Sequence, residues 1–182
     1  MEYKALSARY DQDLAVLIRR ILKKHALDIP GTAYFDESLD HLSAYYDRPG
    51  RAYYVLDREG KAAGGAGFAE CPFFPEACEL QKLYLEESLQ GRGLGRALLG
   101  LAEREAIRLG YRRMYLETHS NLQAAIGLYL ADGFVEIPRP ESVVHSTMDR
   151  FFLKDLAGAA PLQENFPEVE ENNQSGSLRE EA

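Results

Sequence analysis

Apolar positions along this chain recur with two periods, and the switches between them mark out an alternation of strands and helices. Tyr3–Ala8 reads as a first strand. From Asp11 to His25, Leu14, Leu17, Ile18, Ile21 and Leu22 follow the spacing of an amphipathic helix. Ile29-Pro30-Gly31-Thr32 ends that helix. A second helix is predicted from Asp36 or Glu37 to Tyr46, stopped by Arg48-Pro49-Gly50. Ala52–Leu56 is a strand and Asp57-Arg58-Glu59-Gly60 a turn. Lys61–Glu70 pairs back as the next strand, and its glycines at 64, 65 and 67 leave room for a bulge or for close approach of another group.

The pattern is sharpest over residues 78–109. Cys78–Leu85 alternates as a short, largely covered strand, with Leu83 and Leu85 predicted on one face together with Gln81. A polar loop follows, with glycines at 91, 93 and 95. Leu94, Leu98, Leu101, Ala102 and Leu109 then fall at helical intervals. Downstream, the reading is a strand from Tyr111 or Arg112 to Thr118, a helix from Asn121 to Ala131 capped by Gly133, and a short strand Phe134–Ile137. A loop, Pro138–Thr147, and a closing strand, Met148–Leu153, complete it. Hairpins before residue 90 and helix crossovers after it predict an α/β fold with a mixed sheet.

Composition refines this picture in three places. The 182 residues are enough for one domain with a full core, placed at 1–156. From Ala157 onward small residues, prolines and glutamates dominate, and 157–182 is read as a disordered acidic tail. Six glutamates and Arg179 there account for five of the eight net negative charges, so the overall acidity says nothing about the substrate, and no nucleic-acid surface is indicated. No run approaches a membrane span and no signal peptide is visible, which points to a cytoplasmic protein. Cys71 and Cys78 are close enough in sequence to meet across a loop, but in a cytoplasm they are expected to stay reduced, and no metal site is indicated.

The strand, glycine loop and helix start at 83–96 form an anion site. The first N–H groups of a helix lack partners and carry partial positive charge. Glycines let a phosphate approach the backbone, and Arg92 and Arg96 add charged donors. The loop is not that of a nucleotide hydrolase, because Leu101 stands where the lysine belongs. It is a poor dinucleotide loop as well, because Arg96 replaces the third glycine.

The pattern Leu83-x-Leu85-x-x-x-x-Gln90-x-x-Gly93-x-Gly95 resembles the coenzyme motif of the GCN5-related N-acetyltransferase (GNAT) superfamily. Ala125-Ile126-x-Leu128-Tyr129-x-x-x-Gly133-Phe134 resembles a second motif of that family, and the matches span roughly residues 52–137. The resemblance implies a mostly antiparallel twisted sheet flanked by helices, and transfer of an acetyl group from acetyl-CoA to a primary amine of a small molecule or peptide. It implies pairing of the coenzyme's pantetheine arm with the main chain at Leu83 and Leu85, beside Tyr84. The pyrophosphate would meet Gln90, Gly91, Arg92, Gly93, Leu94, Gly95 and Arg96, with the backbone N–H of Leu85 or its neighbour on the thioester carbonyl. Glu79 matches a glutamate that serves as base in the histone-acetylating branch, with His145 and His119 as rivals. Tyr129 matches the tyrosine that faces the coenzyme sulfur. Leu122 departs from the family's asparagine, and Asn121 is the nearest substitute, as coenzyme contact or helix cap. The resemblance makes the segment between the first two helices an acceptor wall, and the aromatic loop 72–75 is another candidate. The competing reading is a catalytically inactive acyl-CoA-binding sensor. The acceptor is not named, and a homodimer is left open.

Overall fold

The computed structural model describes residues 1–143 and 147–156. The tail reading and His145 lie outside these residues. Strand β1 (Glu2–Ala5) leads through a single turn into helix α1 (Asp11–Lys24). The apolar positions picked out by period in α1 are all buried. Asp11 and Asp13 in its first turn and Lys23 and Lys24 in its last suit the helix dipole. Then come α2 (Leu42–Tyr46), β2 (Ala52–Arg58), β3 (Lys61–Glu70), β4 (Ala77–Leu85) and α3 (Leu94–Arg108). The described chain closes with β5 (Arg113–Thr118), α4 (Gln123–Ala131), β6 (Val135–Ile137) and β7 (Arg150–Asp155).

The strands form one seven-stranded sheet in the order β1-β2-β3-β4-β5-β7-β6. Every neighbouring pair is antiparallel except β4–β5. Helices α1 and α2 cover one face, where Leu14, Ile18, Leu22 and Leu42 pack on Tyr53 and Val55. Helices α3 and α4 cover the other, where Leu99, Ala102 and Ile126 pack on Phe68, Cys78, Leu80 and Leu116. The expected α/β fold is therefore present, with helices on both faces.

Three expectations change. The predicted second helix is broken: a 3-10 segment, Glu37–His41, precedes a five-residue α2. The Asp11 carboxylate accepts the Ser43 N–H at 2.8 Å and the Ser43 hydroxyl at 2.6 Å, so α1 caps α2 from outside. The two cysteines, which could have met across the loop, are both free thiols in separate packing clusters. Cys78 packs under α3 and α4, while Cys71 joins Tyr115, Val143 and Phe151 in a separate cluster. Burial pushes the Cys78 thiol up to about 12, so it stays protonated.

The third change reshapes the motif strand. Gly65 pairs with Tyr84 but Gly67 pairs with Gln81, so Lys82 and Leu83 together oppose Ala66. This is a bulge, and Lys82 takes φ 52, an uncommon conformation for a residue with a side chain. Past the bulge the alternation is reversed. Leu83 and Leu85 face α3 together with Leu80, and Tyr84 faces α1, so Gln81 is not on the face with Leu83 and Leu85. The bulge is held from β2: the Tyr53 hydroxyl donates to the Lys82 carbonyl at 2.9 Å. To reach it, the Tyr53 ring lies across β3, where a Cβ on Gly65 or Gly67 would come within 2.4 Å of the ring. Those glycines serve the close approach of a side chain.

Candidate active site

Strands β4 and β5 pair only at Ala77–Arg113, Cys78–Met114 and Glu79–Tyr115. Beyond Glu79 they separate, although β4 runs on to Leu85 and β5 to Thr118. The separation leaves one edge of β4 open. The Glu86 N–H bonds Ala63 on β3, whereas the Leu85 carbonyl accepts the Gln90 side chain at 3.3 Å. Because main-chain groups alternate in direction, Leu85 and Leu83 present theirs to the open side.

A groove of about 420 Å³ follows that edge. Leu83, Tyr84 and Leu85 form one wall, Gln90, Gly91, Gly93, Gly95 and Arg96 the floor, and Ala124, Ala125 and Leu128 of α4 the other wall. Gly93 is the residue before α3, with φ 78. Its carbonyl accepts the Ala97 N–H at 3.0 Å, so the N–H groups of Leu94, Gly95 and Arg96 precede the first helical bond and remain for a ligand. A Cβ at Gly91 or Gly93 would meet nothing within 4 Å, which leaves free space before the loop. The loop is thus a helix N-terminus with an approach open to an anion.

A second cleft, of about 220 Å³, lies on the α1 side of the separation. It shares Leu83, Tyr84 and Ala125 with the groove, so the two spaces meet at the bulge. Gly31–Ala33 and Asp36 wall it, and Glu79, Gln81, Glu117 and Tyr129 line it. The buried Thr32 hydroxyl, 2.8 Å from the Leu27 carbonyl and 2.9 Å from the Ile29 carbonyl, shares its one proton between them and fixes the wall. Lys82 bonds Asp36 at 2.7 Å and ties the same wall to the bulge. Thr147 donates to the Pro30 carbonyl at 2.7 Å from the far side.

Glu79 keeps part of its surface open to this cleft. Its Oε2 accepts the Gln81 amide at 2.9 Å, and Gln81 in turn accepts the Tyr46 hydroxyl at 3.0 Å. Burial raises the Glu79 carboxyl above its ordinary value; the Gln81 bond works against this, and the charge of Glu117 adds to it. Tyr129 packs its ring on Phe134 and Phe152 at 5.8 and 6.2 Å. Its hydroxyl has no hydrogen-bond partner among the described residues. Burial pushes the Tyr129 phenol upward, so it keeps its proton near neutral pH.

Other expected positions fall elsewhere. Asn121 neither lines the groove nor caps α4; its amide donates to the His25 carbonyl at 2.9 Å, where α1 ends. His119 accepts the Asn121 N–H at 3.1 Å and does not line the cleft. Arg92 is exposed and outside the groove lining, and Arg96 reaches the Ala131 carbonyl at 3.3 Å. The Leu94 side chain turns to the core, leaving its N–H to the groove. Phe73 and Phe74 pack on Tyr115 and do not line the cleft. The residues that pattern reading missed are Gln81, Glu117, Asp36 and Lys82. A signal for one existed: Glu117 is an acidic residue directly after the apolar run Met114–Leu116 of a strand, two places from Tyr115. Among the described residues no three His, Cys, Asp or Glu side chains are grouped to hold a metal, and no helix is long and apolar enough to cross a membrane.

Comparison with known proteins agrees with this geometry. The profile of the acetyltransferase (GNAT) family matches residues 19–134. The chain is 35% identical over 136 residues to the uncharacterized N-acetyltransferase YjgM of Escherichia coli K12, covering 74% of this chain and 81% of that one. An uncharacterized N-acetyltransferase of Schizosaccharomyces pombe is 29% identical, with 67% and 74% covered. A GNAT acetyltransferase structure from Staphylococcus aureus Mu50 superposes with a TM-score of 0.76 at 19% identity, covering 85% of this chain and 98% of that one. The aminoglycoside 6'-N-acetyltransferase complexed with coenzyme A gives 0.66 at 14% identity, covering 88% and 99%. The motifs, the opened parallel pair and these relatives agree: the chain belongs to the acetyltransferase (GNAT) family, whose members are acetyl-CoA-dependent enzymes.

Proposed function

We propose that this protein transfers the acetyl group of acetyl-CoA to a primary amine of a small molecule or peptide, with Glu79 as general base and Tyr129 as donor to the leaving thiolate. One observation carries the reading: Glu79 and Tyr129 line a single cleft that joins the glycine-loop groove at Leu83, Tyr84 and Ala125. The helix start at Leu94–Arg96 holds the pyrophosphate, and the open edge of β4 pairs with the pantetheine arm. Glu79, with its raised proton affinity, takes a proton from the amine, whose nitrogen bonds the acetyl carbon. The Leu85 N–H stabilises the carbonyl oxygen as charge develops there. When the carbon–sulfur bond breaks, the sulfur keeps the electron pair and receives the proton of the Tyr129 hydroxyl, which takes one back from solvent. Thiol release from acetyl-CoA, measured across a panel of amines, tests this. Amine-dependent release is the expected result, and its absence with every amine rejects the reading in favour of a protein that only binds acyl-CoA.

The glycine loop yields a separate prediction. Gly93→Val puts a branched side chain into the space before the helix start and forces an L residue to positive φ. Calorimetry with CoA is expected to show at least about a tenfold loss of affinity, while the strained backbone costs about 1–2 kcal/mol of stability. Unchanged CoA affinity in the folded variant rejects the pyrophosphate assignment.

A further inference from the structure

Gln81 follows Glu79 by two residues on β4, ahead of the bulge, so the two side chains leave the strand on one face. Its amide stands between two groups with opposite demands. An ionised Glu79 carboxylate can only accept, so the amide nitrogen has to face it, and it lies 2.9 Å from Oε2. That orientation turns the amide oxygen to Tyr46, whose hydroxyl donates to it at 3.0 Å. Burial raises the Tyr46 phenol well above its ordinary value, so the proton for this bond is always present. The Tyr46 ring is packed in place, edge-on to Tyr45 at 4.9 Å and tilted on Tyr53 at 5.0 Å. Helix α2, which carries Tyr46, is too short to stand alone and is capped from α1 by Asp11. Each bond from Tyr46 to Glu79 therefore runs in one direction and ends on the charged form of Glu79.

We propose that Gln81 is a positioning residue: it holds the Glu79 carboxylate ionised and in one orientation, and Tyr46 sets the direction of its amide. The hold concerns Glu79 whatever its task; the consequence for catalysis rests on the reading of Glu79 as the base. An amide bonds a charged carboxylate more strongly than a neutral acid, so Gln81 opposes the effect of burial on Glu79. Among the described residues, Tyr115 and Glu117 of β5, Lys82 of β4, Asp36 before α2 and Cys71 after β3 also act on Glu79. All of these are the same in the parent and in the variants that follow, so a difference between them reads the Gln81 bond.

The carboxyl carbon-13 signal of Glu79 in the full chain, assigned by its loss in Glu79→Gln, gives its titration directly. Gln81→Met keeps the length of the side chain and removes the donor. It is expected to move the Glu79 titration up by about one pH unit. Tyr46→Phe keeps the ring packing and lets the amide turn, and a smaller move in the same direction is expected. An unmoved or lowered titration in both variants overturns the inference, and a melting deficit alongside it makes Gln81 a sheet residue only. If Gln81→Met does not fold, Tyr46→Phe decides by the same reading. Acetyl-transfer rates against pH test the other claim. With Glu79 as the base, the acid limb moves by the same interval as the titration in each variant. A titration that moves while the limb stays rejects Glu79 as the base and keeps the hold of Gln81 on it.

Discussion

Replacing Glu79 with glutamine is expected to lower the maximal rate of acetyl transfer by about a hundredfold or more. The substitution keeps the shape and leaves the bond from Gln81 an oxygen to reach. What it removes is the group that takes the amine proton. CoA affinity is expected to hold, because Glu79 lines the second cleft and not the glycine-loop groove. The pH profile adds a second readout. In the parent, the rate falls on the acid side as Glu79 takes up a proton, and burial places that fall above the ordinary carboxylate range. In Glu79→Gln this limb disappears, and the rate climbs steadily with pH as more acceptor arrives neutral. Tyr129→Phe is the companion: it removes a hydroxyl that bonds nothing among the described residues, so stability barely changes while the rate falls and the acid limb stays in place. A Glu79→Gln enzyme with the parent's rate and profile makes Glu79 a sheet residue only, and moves the search for the base to His145.

The two motifs were legible because each is local. A strand, a glycine loop and a helix start are adjacent in sequence, and β3 runs over the predicted Lys61–Glu70. Two features set by distant residues were not legible. The bulge at Lys82 depends on Tyr53 reaching across Gly65 and Gly67 from β2, so three strands must be in place before Leu83 and Leu85 share a face with Leu80. Alternation along β4 alone predicts the opposite partner. The break before α2 likewise depends on Asp11, which caps Ser43 from another helix. At the site, Glu79 and Tyr129 came from motif positions. Glu117 and Asp36 joined them only through the parting of β4 from β5 and the folding of the segment before α2 onto Lys82.

Lys154→Ala is expected to be strongly destabilising although it lies outside the site. The Lys154 ammonium bonds Glu103 of α3 and Asp132, the residue after α4, both at 2.6 Å, with the three side chains 12%, 7% and 9% exposed. Removing the cation leaves two carboxylates in one buried space, a loss of about 3–5 kcal/mol. For a chain of this size that lowers Tm by roughly 10 °C or more. The pH dependence follows from Glu103, whose carboxyl is pushed up to about 7, chiefly by burial, with Lys154 pulling down and Asp132 pushing up. A carboxyl raised on folding contributes stability that is fully present below its unfolded value and is lost as pH rises through the folded one. The parent's Glu103 share is therefore lost between about pH 4.5 and pH 7, and Glu103→Gln flattens that slope. In Lys154→Ala the downward pull on Glu103 is gone, so its carboxyl rises further and the slope steepens. The variant's melting deficit is then expected to be large at pH 8 and to shrink toward pH 5, as protonation of Glu103 relieves the repulsion. Melting curves at the two pH values decide it: a small deficit of equal size at both means the triad is solvated and contributes little, whereas a deficit that closes on acidification assigns the cost to unpaired buried charge.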